Sequence, residues 1–159
     1  MKSGVAVRIC TLRLAIQPAL AGIKSLNRLE QVLARAEWQD AAIFEGLTLD
    51  TDGRLICGTM SNVFIVNDSR LATPGITRCG VSGVMRAELI QQLQEAGVAC
   101  EVRDIYANEL TTADEVFLTN SQFGVLPVKR IDNIEYGVGN VTRSAQRLMA
   151  AAGVEECQV

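Results

Sequence analysis

The spacing of apolar and polar positions divides this chain into short strands and three helices. Val5–Cys10 alternates and predicts a first strand, with a loop over Thr11–Gly22 that contains Pro18. Leu29, Val32, Leu33 and Ala36 recur at helical spacing with no Gly or Pro among them. They predict a helix from about Leu26 to Trp38 with those residues on one face. Ala41–Leu49 reads as a strand, Asp50-Thr-Asp-Gly53 as a hairpin turn into Arg54–Cys57, and Asn62–Val66 as a further strand turned back by Asn67-Asp68-Ser69. A second helix over Val84–Ala96 carries Leu89, Ile90 and Leu93 on one face and stops at Gly97. Val98–Ile105 alternates as a strand, and Leu110–Glu115 is polar and predicts a short helical turn. Val116–Thr119 and Val125–Ile131 are strands by composition, and Asn140–Ala151 closes with the third helix. Strands joined by hairpin turns and mixed with three helices predict an α+β fold with a mixed, largely antiparallel sheet.

Composition narrows the chemistry. The 159 residues fit one domain spanning 1–159, with no repeat or linker. Lys plus Arg number 15 against 18 Asp plus Glu, so nothing suggests a nucleic-acid footprint or an anionic membrane partner. The chain has no histidine, which removes Ser-His-Asp and Cys-His catalysis and histidine metal sites. Cys10, Cys57, Cys79, Cys100 and Cys157 are scattered without a CxxC pair, so neither a metal site nor a disulfide framework is expected. The apolar runs fall far short of the roughly 20 residues of a membrane span. With no signal-peptide core at the N-terminus, the expected compartment is the cytoplasm.

Three loops could carry chemistry. Lys24 sits just before the first helix between apolar Ile23 and Leu26. A partly desolvated lysine serves as base or nucleophilic amine, although one near a helix start is more often a solvated surface residue. Gly80-Val-Ser-Gly83 runs directly into a helix whose first N–H groups suit a phosphate, and a plain tight turn would also explain it. Thr119–Gly124 is a small-residue loop between apolar strands, either a binding loop or a β-turn.

Read together, the segments Arg13–Trp38, Gly58–Phe64, Cys79–Arg86 and Ala113–Ser121 resemble the fold-type IV pyridoxal-phosphate enzymes, and the aminodeoxychorismate lyases among them in particular. The resemblance implies Lys24 as the catalytic lysine that bonds covalently to pyridoxal 5'-phosphate. Gly83, Val84 and Met85 would present N–H groups to its phosphate, Ser61 and Asn62 would lie beside its ring, and Val81 would pack on one ring face. Ser121 and Gln122 would belong to a loop receiving phosphate or substrate carboxylate. Where the family usually has a glutamate paired with the ring nitrogen, this chain has Cys57. That carboxylate strengthens the cofactor as an electron sink. The resemblance covers the family's larger C-terminal domain. The smaller N-terminal domain is absent from the match and is expected, if anywhere, as a separate partner. The activity implied is conversion of 4-amino-4-deoxychorismate, a small-molecule substrate, to 4-aminobenzoate and pyruvate in folate biosynthesis, by a homodimer. The alternatives are a branched-chain or D-amino-acid aminotransferase and a folded domain without catalysis.

Overall fold

The computed structural model describes residues 4–157. The strands are β1 (Val5–Leu14), β2 (Ile43–Asp50), β3 (Leu55–Gly58), β4 (Asn62–Asn67), β5 (Arg70–Pro74), β6 (Cys100–Arg103), β7 (Glu115–Asn120), β8 (Gly124–Ile131) and β9 (Ile134–Glu135). The helices are α1 (Leu29–Arg35), α2 (Val84–Glu95) and α3 (Asn140–Ala151). One sheet holds all the strands in the order β3-β2-β1-β8-β7-β4-β5-β6, with β9 on β8. β1 pairs parallel with β2 and β8, and β5 parallel with β6; the other pairings are antiparallel. The fold is therefore α+β with a mixed, largely antiparallel sheet, as the hydrophobic pattern predicts.

The sheet curls until its two ends meet: Leu55 N–H donates to Ile105 O at 2.7 Å, and Arg54 bridges Tyr106. Alternate residues from its strands, among them Val7, Leu47, Val63, Ile65, Leu118 and Val128, fill the inside of the curl. The intervening residues of β4 and β7 face outward, where α2 and α3 cover them through Leu89, Leu93, Ala145 and Met149. Phe64 and Phe117 stack across the strand pair at 5.0 Å. Burial on both faces explains why β4 and β7 are continuous apolar runs.

Several elements differ from the pattern, among them the short helical turn, which falls at Ala107–Thr111 where Leu110–Glu115 was expected because Glu115 already opens β7, and β9, which was not expected. β1 continues to Leu14, where a loop was expected from Thr11, because a bulge between Ile9 and Arg13 restores pairing with β2. Glu37 takes the N–H groups of Thr11 and Leu12 in that bulge, both at 2.7 Å. α1 is shorter than Leu26–Trp38. Ser25 Oγ accepts Asn27 N–H before it, a local turn that competes with helix, and Glu37 is drawn to β1 after it. Its apolar face is also inverted: Leu29, Val32 and Leu33 are exposed, while Ala34 and Trp38 pack on Cys10. β5 follows the tight Asp68-Ser69 turn, where both φ values are positive, and was not expected. β6 covers only part of Val98–Ile105, because Val98 N–H still closes α2 on Leu93 O at 2.8 Å.

The β2–β3 hairpin is held by a buried ion pair. Asp50, with no exposed surface, accepts the N–H groups of Asp52 and Arg54 at 3.0 Å and Arg54 Nη2 at 2.6 Å. Arg54 also reaches Asp104 at 3.2 Å, tying the hairpin to the sheet's closing edge. Asp50→Ala would leave a buried guanidinium with only its outer partners. The expected loss is about 3 kcal/mol by urea unfolding, the low end for a broken buried pair because Asp104 remains. A loss below about 1 kcal/mol would refute this account of the hairpin.

Candidate functional site

Several strand ends and loops converge at one end of the curled sheet. Cys57 and Gly58 end β3, Asn62 begins β4 opposite Thr119 of β7, and Asn120 ends β7. The Lys24 loop and the start of α2 complete an open cleft.

The two loops are fixed to each other before any ligand is considered. Gly22 N–H donates to Gly80 O at 3.0 Å, and Ser82 N–H donates back to Gly22 O at 3.1 Å. Asn62 fastens the second loop to β4: its Nδ2 donates to Val81 O at 2.9 Å, and its Oδ1 accepts Gly83 N–H at 3.1 Å. A Cβ at Gly83 would run into Asn62 Oδ1, so this contact requires glycine. Gly80, at φ +87°, supplies the left-handed turn that brings the chain back to Gly22. Gly83 is the N-cap of α2 and no side chain caps the helix, so Val84 and Met85 open it at the cleft with uncapped backbone N–H groups.

The charged side chains among the described cleft-lining residues are Lys24 and Arg28, both cations. Lys24 is exposed at the rim, and Arg28 Nη2 donates to Thr59 O at 3.2 Å. No described lining residue is a carboxylate. Glu45 lies behind the Thr59–Ser61 loop instead, hydrogen-bonded to it. Two cations, a bare helix start and small polar side chains can hold a phosphorylated or carboxylated ligand and present an amine to it.

Of the residues singled out from the sequence, Lys24, Cys57, Ser61, Asn62, Val81, Gly83, Val84, Met85 and Ser121 all line this cleft. Gln122 does not; it is exposed, and its N–H donates to Asn120 Oδ1 at 2.8 Å within the turn. Arg28, Met60, Ser82, Thr119 and Asn120 also line it and had been given no role. The missed Glu45 left one signal, a charge in the otherwise apolar run Ile43–Leu47.

Comparisons with known proteins bear on the family and the fold. The amino-transferase class IV family model matches residues 2–131. The aminodeoxychorismate lyase of Vibrio harveyi is 42% identical over 147 residues, which cover 90% of this chain and 54% of the relative. The crystal structure of 4-amino-4-deoxychorismate lyase from Pseudomonas aeruginosa superposes with a TM-score of 0.91 at 51% identity, covering 94% of this chain and 56% of that one. A T.th. branched-chain amino acid aminotransferase, solved with pyridoxamine 5'-phosphate, gives a TM-score of 0.82 at 26% identity, over 96% of this chain and 53% of that one. The chain thus spans about half the length of the relatives it matches.

Cys57 at the cleft floor is buried and 3.7 Å from Thr48 Oγ1, and burial pushes its thiol up. Burial does the same elsewhere, raising Cys10 and Cys79 to about 12 and Cys100 to about 11. These groups therefore stay protonated in the folded chain after the unfolded chain has begun to lose protons near 9.0. Their contribution to stability is complete below that pH and is lost as pH rises toward about 11–12. Melting temperature should accordingly fall steadily above pH 9. With Ellman's reagent at pH 8, half-buried Cys100 should react first and Cys57 only on unfolding. Rapid labelling of Cys57 in the native protein would contradict its placement.

Proposed function

The chain belongs to the amino-transferase class IV family, and we propose that it is the cofactor-binding part of an aminodeoxychorismate lyase. The observation that carries this reading is the convergence of Lys24, Arg28 and the uncapped start of α2 on one cleft. The residues fit pyridoxal 5'-phosphate. The donors at the start of α2 are backbone N–H groups of Val84 and Met85, the charged lining residues Lys24 and Arg28 are cations, and no described lining residue is a carboxylate to repel a phosphate. Pyridoxal phosphate, when bound, supplies an electron sink for bonds broken next to the substrate amine.

In this reading Val84 and Met85 would bind the phosphate through backbone N–H groups, Gly83 would only set the start of the helix because its own N–H is taken by Asn62 Oδ1, and Arg28 would take an anionic oxygen of the cofactor or substrate. Ser61 and Asn62 would flank the ring, Val81 would pack on its face, and Ser121 would belong to the outer loop that receives a carboxylate. Lys24 would hold the cofactor through its Nζ, and the same amine, when free, would serve as the base. Its Nζ takes the proton from the amine-bearing ring carbon and returns one to the enolpyruvyl methylene as pyruvate leaves. An aminotransferase is the second reading, supported by the likeness to the T.th. enzyme. The acid-free lining disfavours it, because transamination relies on a strong electron sink, whereas loss of pyruvate is driven by forming an aromatic ring.

The proposed assembly is a homodimer in the cytoplasm. No helix among the described residues is long and apolar enough to cross a membrane. Leu20, Ile23, Leu26, Leu29, Val32 and Leu33 form an exposed apolar strip beside the cleft, which a second copy would cover. Sedimentation should show self-association. Leu26→Lys with Leu29→Lys should shift the chain toward monomer at unchanged melting temperature; an unshifted distribution would assign the strip no such role.

Pyridoxal phosphate added to the protein should give a visible band, and borohydride should fix it on Lys24, as read by peptide mass. Lys24→Ala should lose both the fixed label and turnover of 4-amino-4-deoxychorismate. Stability should stay within about 0.5 kcal/mol, since the side chain is exposed. Equal labelling of the mutant would overturn the assignment.

A further inference from the structure

Glu45 is fully buried on β2, and none of the ion pairs among the described residues includes it. It accepts five hydrogen bonds instead. Oε1 takes Gly46 N–H at 2.9 Å, Thr59 N–H at 3.1 Å and Thr59 Oγ1 at 2.6 Å; Oε2 takes Met60 N–H at 3.1 Å and Ser61 Oγ at 2.8 Å. The loop joining β3 to β4 is thus wrapped around one carboxylate. It comes so close that a Cβ at Gly58 would lie 2.7 Å from Oε2.

The consequence for the cleft follows from peptide geometry. The peptide between Thr59 and Met60 is planar and trans, so its N–H and its carbonyl point opposite ways. With Met60 N–H turned inward onto Glu45, Thr59 O must face outward, and there it accepts Arg28 Nη2 at 3.2 Å. Arg28 has a long side chain and no acidic partner within ion-pair distance among the described residues. Thr59 O is the hydrogen-bond acceptor that fixes it. We infer that Glu45 is a positioning residue, which sets the Arg28 guanidinium in the cleft through the Thr59–Met60 peptide and holds the Ser61 hydroxyl beside it. The inference rests on the cleft being the cofactor site. A glutamine cannot replace this carboxylate. It has one acceptor oxygen for five donors, and its NH₂ group would confront Met60 N–H.

The test is a double-mutant cycle on Glu45→Gln and Arg28→Met, read by the dissociation constant for pyridoxal phosphate and by amide hydrogen exchange at Met60. Glu45→Gln should speed Met60 exchange and weaken the cofactor by about 10-fold or more, the scale of one charge-assisted hydrogen bond. In the Arg28→Met background it should weaken the cofactor little further, because both changes remove the same contact. Met149→Ala, a core variant on α3 outside the cleft lining, controls for lost stability and should bind as the wild type does. If Glu45→Gln does not fold, Gly58→Ala takes its place, since its Cβ displaces the same carboxylate. Additive losses, or wild-type exchange at Met60, would overturn the inference. If the wild type bound no pyridoxal phosphate, the functional reading would fail, and Met60 exchange would still decide the role of Glu45.

Discussion

Backbone N–H groups that a curled, mixed sheet cannot pair among its strands determine where several of this chain's acids lie. Glu37 takes two of them at the β1 bulge, Asp50 two in the hairpin turn, and Glu45 three, one from its neighbour Gly46 and two from the β3–β4 loop. Glu115 takes Val141 and Thr142 N–H at 3.2 and 2.7 Å, where α3 begins. The buried ones among them, such as the N–H groups of Gly46, Arg54, Thr59 and Thr142, would otherwise be desolvated donors without an acceptor, at a cost of about 1–3 kcal/mol each. The electrostatics of the cleft follow from the same accounting: the acids near it are engaged by the backbone, and the lining keeps its two cations. A site suited to anionic ligands emerges although the chain as a whole carries more acid than base.

Closure of the sheet does the gathering. Residues from Lys24 to Ser121 meet because strand ends that are distant in sequence sit side by side once Leu55 meets Ile105. Asn62 then couples the sheet to α2. It begins β4 in register with Thr119 and holds both Val81 and Gly83, so the helix start is fixed relative to the cleft floor. The chain's apolar content serves two ends. Val63 and Phe64 build the two sides of the sheet, whereas Leu26 and Leu29 are left outside, available to another surface.

The sequence made the strands legible wherever burial on one or both faces left an apolar run, as in β4, β7 and β8, and it placed α2 and α3 correctly because their stops are local. It misled on α1. Leu29, Val32 and Leu33 have the spacing of a core face, but spacing cannot say whether that face meets this chain or another molecule. The bulge in β1 was invisible because the carboxylate that satisfies it is Glu37, about 25 residues away. Most of the cleft residues were legible through glycines and small polar loops. Glu45 was not, because its role is set by five donors, four of which lie in another part of the chain.

The same constraint bears on which chemistry the cleft can support. Cys57, at its floor, is a thiol held neutral by burial, with the Thr48 hydroxyl behind it. The nearby carboxylate, Glu45, has both oxygens taken by the loop, so redirecting it toward a ligand would strip Thr59 and Met60 of their acceptor. The described lining therefore has no carboxylate to pair with a cationic ring, and a cofactor bound there would be a weaker electron sink than one paired with an acid. Such a sink suffices for a reaction whose product is stabilised on its own account, as when a ring becomes aromatic. It serves poorly a reaction that must hold charge on the cofactor while an amino group changes hands. The backbone that engages Glu45 thus keeps this carboxylate out of the cleft lining, which is the feature that favours the proposed elimination over transamination.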